Sequence, residues 1–583
     1  MASMKSTKQL GSITFKRNMQ RRIAERTLTF VLCVFIYYPF FIFGMLMTYL
    51  ARLTCMFKIW TGIGYKEYGK LGNISRKNPI SDIIEVSTKE ELSFIKHRSP
   101  TYLYRMSVWT ARELSKYLLR GQTTGLISEQ DLCYSLLCSV FAHSLTWEKD
   151  SEMYRMKMEG FDDFYLFRGF YWDAREVWFS KDCTKMKLVF TGDREISWPC
   201  EGKQMAEWKL AKLHAQVCLT YYAPGLSHNH VHFVFPSSMT MVIKRYLKPT
   251  SFLFRFLKPF FQFTERINHQ ALNVCKATNN KRSILDRHFF FWQPIPITVE
   301  QFVEGVAKKC HQYYHSNHAQ HKKEKETNQE LPAHCNFPPP YVSDPKLQEI
   351  PYLRFLAVYY DVIRKFVAAV APLIDRTEWE SVSKIMETHV PGFRDASMVD
   401  CIASFVHQVA IVHYCDHETF LRFFARQFGC MAIRSPYEPW SNIYHWDTIV
   451  GENPEVKYVK EFRDNPVKLL RSRDIMRTRC FQNVFVDFIP DWSLDLRLIS
   501  TKHKFNPQTE QSAIEASRQW KLNLKDLDSQ LSQTEPPIVV PLPPPDAIDS
   551  YTESRGGAGE GELGRSTNMQ LIPVNQMIRS VCF

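Results

Sequence analysis

Cys401-Ile-Ala-Ser-Phe-Val-His-Gln-Val-Ala-Ile-Val-His413-Tyr-Cys-Asp-His417 is the stretch on which the fold turns. It lies within a segment, Ala396 to Gln427, whose apolar residues recur at helical spacing. Ile402, Val406, Val409, His413, His417 and Phe420 follow one another at steps of three and four, so they share one face of a helix. An apolar stripe of this kind predicts a helix that packs into a core. This one carries two imidazoles, one turn apart, on the face that would be buried. Two His at i and i+4 on one face can chelate a single metal ion. The plainer alternative is a pair of hydrogen-bonded core histidines.

A second cluster, His228-Asn-His230-Val-His232, follows Pro224-Gly225 and a helical pattern from Trp208 to Tyr222. If the cluster is helical, His228 and His232 share a face. If it is extended, all three rings point the same way, because strand side chains alternate. Either conformation supplies two imidazoles. No thiol pair accompanies the clusters and carboxylates are sparse around them, so nitrogen plus carboxylate donors suit iron(II) better than a thiolate-rich zinc site. The end of the chain offers one more donor. Leu571 to Phe583 is apolar, where termini are usually polar and frayed. That pattern predicts a tail, 568–583, tucked back into the body, with the Phe583 carboxylate free to bind a metal.

Other chemistries leave no trace. The sequence has no Gly-x-Ser-x-Gly, P-loop, Gly-x-Gly-x-x-Gly or His-Glu-x-x-His motif, and Gly556 to Gly561 is linker composition without a flanking strand and helix. The chain has 583 residues, 45% hydrophobic and 14% aromatic, enough for a large core. Its formal net charge of +14 comes without a recognisable nucleic-acid module, which favours anionic lipid headgroups or fatty carboxylates as partners and no nucleic acid. Fifteen Cys lie scattered with no Cys-x-x-Cys pair, as expected in reducing surroundings.

The expected organisation follows from composition. Residues 1–26 form a basic tail. Residues 27–51 carry no charge and would make a transmembrane helix of about 37 Å, long enough for a bilayer core of about 30 Å. The protein is therefore expected to be a single-pass membrane protein anchored near its N-terminus. Residues 60–583 form the body. Helical patterns run from Tyr102 to Leu119, Ser128 to Leu145, Tyr352 to Ala371 and Asn506 to Leu531, and strands and turns occupy Asp163 to Thr191. Residues 315–344 read as an exposed loop. Residues 529–567, rich in Pro and Gly, read as a disordered insertion.

The order of these motifs resembles the lipoxygenase family. Trp147-Glu-Lys-Asp150 followed by Gly160 is similar to the family's Trp…Asp…Gly segment. Trp208-Lys-Leu-Ala-Lys212 resembles the Trp-Leu-Leu-Ala-Lys that opens its first metal-ligand helix, and the His228 cluster starts twenty residues later. Phe256-Leu-Lys-Pro-Phe260 and Phe263-Thr-Glu-Arg-Ile-Asn268 resemble the stretch that follows. Tyr352 to Val367 and Trp379 to Gly392 match the helices before the second ligand pair. Ser580-Val-Cys-Phe583 resembles the closing Asn-Ser-Val-x-Ile. The family's first pair is usually His-x-x-x-x-His, so His228 to His232 is one residue shorter.

The resemblance implies a mainly α, lipoxygenase-like catalytic domain with a few strands, without the N-terminal β-barrel and preceded by the membrane helix. It implies non-haem iron held by His228, His232, His413, His417 and the Phe583 carboxylate, with His230 as an alternative to His232. An iron-bound hydroxide would take a hydrogen atom from a bis-allylic carbon of a polyunsaturated fatty acyl chain, and O2 would then add to give a lipid hydroperoxide. Two rival readings remain: a lipid-binding or scaffold protein of the same fold without turnover, and a different metal-dependent oxidase.

Overall fold

The computed structural model describes residues 126–158, 174–222, 228–261, 337–390, 392–419 and 509–533, with shorter pieces at 23–37, 170–171, 433–434, 540–541 and 569–570 and a few isolated positions. Most of this is helix, arranged around one hydrophobic core with a small antiparallel sheet at its side.

The sheet has five strands in the order β1-β2-β4-β5-β6. They are β1 (Leu145–Glu148), β2 (Met153–Lys157), β4 (Ala174–Ser180), β5 (Met186–Phe190) and β6 (Glu195–Trp198), while β3 (Phe170–Tyr171) pairs separately with β7 (Ile433–Arg434). Alternation decides which face is buried: Val177 and Phe179 of β4 lie opposite Leu188 and Met186 of β5, and all four are buried. The β5–β6 hairpin turns through Thr191, Gly192 and Asp193, the last two at positive φ. The expected strands between Asp163 and Thr191 are present as β3, β4 and β5. Leu145, placed by its pattern at the end of a helix, instead opens β1. That helix, α1 (Glu129–Leu137), stops early and gives way to a 3-10 turn over Val140–Ser144.

The longest described helices form the core. Helix α6 (Pro351–Val370) buries Tyr352, Leu356, Tyr359, Ile363, Phe366 and Val370, a stripe at steps of four and three. Its N-terminus places Pro351 in the first turn, where the missing N–H costs nothing. Helix α10 (Gln511–Gln533) lies against it, with the ring of buried Trp520 4.7 Å from that of Phe366. On its other side runs α8 (Met398–His407), capped by Ser397, whose hydroxyl accepts from Asp400 N at 3.0 Å. Arg364 of α6 donates to Asp400 at 2.7 Å and ties the two helices together. Helix α7 (Arg376–His389) connects them.

The structure corrects the expected exposed loop 315–344 at its C-terminal end. Tyr341, in a 3-10 turn over Pro340–Val342, is buried, and its ring lies 6.2 Å from that of His407 in α8. Prolines limit the chain there without exposing it, because the aromatic between them finds the core.

Among the described residues one helical run, Met398–Asp416, is long and apolar enough to cross a bilayer, yet 83% of its most apolar window is buried inside the protein, as befits a core helix. The expected span 27–51 is described only to Tyr37. In that part Phe30 and Phe35 are 67% and 73% exposed, and Thr29 Oγ1 donates to Ser115 Oγ at 3.1 Å. The remaining residues of the span, and nearly all of the 529–567 and 568–583 segments, lie outside the described residues.

Candidate metal centre

The first side of the site is built by α2 (Lys203–Tyr222) and α3 (His228–Phe233). Trp208 and Lys212, one turn apart on α2, both reach Glu129 of α1: Trp208 Nε1 donates to Oε1 at 2.9 Å and Lys212 Nζ at 2.5 Å. Burial pushes the Glu129 carboxyl up, but the hydrogen bonds from Lys212 and Trp208 outweigh it and hold it below its ordinary value. This pair fixes α2 against α1 and so gives the Trp208-to-Lys212 motif a physical role. Beyond α2 the histidine cluster is helical, which settles the choice between helix and strand. The helix ends at Val234 (φ −109°, ψ −107°), and Pro236 stands in the first turn of the next helix, α4 (Phe235–Tyr246). Proline cannot continue a helix from its interior but starts one readily, so α3 ends before Pro236.

The other side is the decisive segment itself. It is helical as expected, but its hydrogen bonding changes midway: α8 gives way to a π-helical turn over Gln408–Val412, and α9 (His413–Thr419) follows. A π turn holds one more residue than an α turn, which rotates everything after it by about 100° relative to an unbroken helix. All five residues of the turn are buried. His413 therefore emerges from the turn onto a face that the unbroken stripe did not specify.

The two sides meet through their imidazoles. His413 Nε2 lies 3.0 Å from His232 Nε2. The rings of His228 and His232 are 4.4 Å apart, those of His232 and His413 4.9 Å, and those of His228 and His413 5.0 Å. One donor atom from each of the three lies within 4.8 Å of the others, and all three residues are buried. Two nitrogens bound to one ion at about 2.0–2.2 Å and at right angles stand about 2.8–3.1 Å apart. The His232–His413 spacing matches that value, and three imidazole nitrogens suit a divalent transition metal. His417 lies in α9, one turn beyond His413. Its side chain, that of His230 and the whole of Phe583 lie outside the described residues.

Sequence reasoning missed Asp416. It is buried on α9, three residues after His413, and its Oδ2 stands 4.0 Å from His228 Nδ1. The i, i+3 relation to His413 was the available signal. The expectation that carboxylates are sparse around the clusters passes over this one, which stands beside the trio.

Among the described residues, three further buried histidines stand outside the trio. His407 of α8 donates from Nε2 to Leu356 O at 3.0 Å and accepts from the Tyr341 hydroxyl at 3.5 Å. Burial pushes its pKa down to about 3, so it is neutral. His214 of α2 packs edge-on to Phe190, and burial likewise pushes it down to about 3. His143 lies between the rings of Tyr341 and Tyr352. These are core histidines.

No protein-family model and no curated protein matches the chain. Solved structures do match. A deletion variant of a lipoxygenase, crystallised anaerobically in complex with arachidonate, is similar with a TM-score of 0.53 and 12% identity, over 78% of this chain and 74% of that one. The manganese lipoxygenase of Gaeumannomyces graminis is similar with a TM-score of 0.52 and 9% identity, over 85% and 91%. The fold is lipoxygenase-like. At these identities the likeness is one of architecture, and the chemistry rests on the chain's own side chains. In this lipoxygenase-like fold the ordinary i, i+4 spacing of His228 and His232 suffices to bring both rings to His413.

Proposed function

We propose that this chain is a membrane-anchored, non-haem metal dioxygenase that adds O2 to polyunsaturated fatty acyl chains and yields lipid hydroperoxides. The observation that carries this reading is the meeting of His228, His232 and His413 between two core helices of a lipoxygenase-like fold. These three would hold the metal, with His417 and the Phe583 carboxylate completing its ligands. Iron is the metal proposed. A redox-active metal supplies the one-electron and O2 chemistry that amino-acid side chains lack.

The chain's own residues then do the rest. Neutral imidazoles bind the ion without offsetting its charge, and burial keeps bulk water from the donors. The arachidonate complex of the structural neighbour supports a fatty acid as substrate. The uncharged segment 27–51 would anchor the protein in the membrane from which such a chain is drawn.

The test is metal analysis of purified full-length protein for iron and manganese, followed by addition of linoleate or arachidonate. About one equivalent of iron is expected, with O2 uptake matched by conjugated-diene hydroperoxide. Residues added after Phe583 should lower both. Protein with no bound metal and no diene product would refute the proposal.

A further inference from the structure

The site is laid out two by two. Helix α3 presents His228 and His232 one turn apart, and α9 presents His413 and Asp416 at i, i+3. Across the helix pair, His232 faces His413 at 3.0 Å and His228 faces Asp416 at 4.0 Å. All four residues are buried. A buried carboxylate is costly unless positive charge or hydrogen-bond donors answer it. Asp416 is not one of the three side chains whose donors gather within 4.8 Å.

We infer that Asp416 is a positioning residue: its carboxylate takes the Nδ1–H of His228 and so turns Nε2 of that ring toward the point shared with His232 and His413. This rests on the metal-site reading proposed above. An imidazole that binds metal through one nitrogen usually donates the other N–H to a carboxylate or carbonyl, which fixes the tautomer and makes the ligand more basic. The 4.0 Å separation closes to hydrogen-bond length with a movement of about 1 Å, of the kind seen when loosely aligned site contacts tighten on binding.

The experiment is titration of Fe(II), and separately Mn(II), into metal-free full-length protein, as wild type and as Asp416→Asn, with apo-protein melting recorded alongside. Asparagine keeps the shape and removes the charge. Affinity is expected to fall about 10–100-fold, Asp416→Glu should recover part of it, and the apo melting temperature should move little. In a His228→Ala background, Asp416→Asn should add almost nothing, because it acts through that ring. If wild type binds metal and Asp416→Asn binds it equally well, the role of Asp416 is overturned while the metal centre stands. A lower melting temperature with unchanged affinity, or an additive loss in the His228→Ala background, overturns it too. If wild type itself binds no metal, the centre and the inference fall together.

Discussion

On the proposed function, substituting His413 with alanine is expected to lower metal affinity by two to three orders of magnitude and to abolish the proposed dioxygenase activity, while the protein remains folded. The size follows from what one ligand is worth. A four-ligand metal site in a small protein is worth about 10–16 kcal/mol, so each donor carries about 3–4 kcal/mol, on the order of 10²–10³ in affinity. His413 is the donor that α9 brings to the pair on α3: its Nε2 is placed 3.0 Å from His232 Nε2 and its ring 5.0 Å from that of His228. Metal titration of the apo variant gives the affinity, and circular dichroism shows whether α9 survives. His407→Ala is the control. It removes a core imidazole that donates to Leu356 O, so it should lower stability and leave the metal affinity of the folded fraction unchanged. Equal metal affinity in wild type and His413→Ala would remove the residue from the site.

The second large effect is acid destabilisation, and its cause is burial away from the centre. His214 and His407 are both deeply buried, with folded pKa values pushed down to about 3. In the unfolded chain an imidazole titrates near about 6.5. Between these values the unfolded state binds more protons, so stability is intact above about pH 6.5 and is lost as the pH falls toward 3. Each residue contributes about 1.4 kcal/mol per pH unit in that window, and the pair loses about 5 kcal/mol by pH 4.5. Carboxylates such as Glu129, held low by Lys212 and Trp208 against the burial that raises it, add losses of the same sign only at lower pH. Because a folded domain commands only about 5–15 kcal/mol, the protein should approach unfolding near pH 4.5. Urea melts between pH 7 and 4.5 measure the slope, and His214→Leu together with His407→Gln should flatten it. A flat profile in the wild type over that range would contradict the burial of both rings as neutral groups.

The sequence disclosed those parts of the fold that depend on spacing alone. The stripe from Ile402 to His413 placed a core helix correctly, and the i, i+4 relation of His228 and His232 became a real pair once the cluster proved helical. Alternation between Asp163 and Thr191 likewise located β4 and β5. What stayed hidden depends on hydrogen bonding and on partners distant in sequence. The π turn over Gln408–Val412 has no signature, because its residues are buried whether the turn holds four or five of them. The apolar stripe through His413 and His417 does not include Asp416, although i+3 lies on the same side of a helix as i+4. Its significance required knowing that α3 packs opposite it. Tyr341 falls in a stretch that reads as an exposed loop, and only the position of His407 shows why it is buried.

The proposed metal centre can be tested by anomalous X-ray diffraction at the iron edge, with the manganese edge in parallel, on crystals of the full-length protein. A single strong peak is expected between α3 and α9, about 2.0–2.3 Å from one nitrogen each of His228, His232 and His413. A protein that binds metal elsewhere, or crystals with no anomalous peak between these rings after loading with Fe(II), would show that the three histidines do not form the centre.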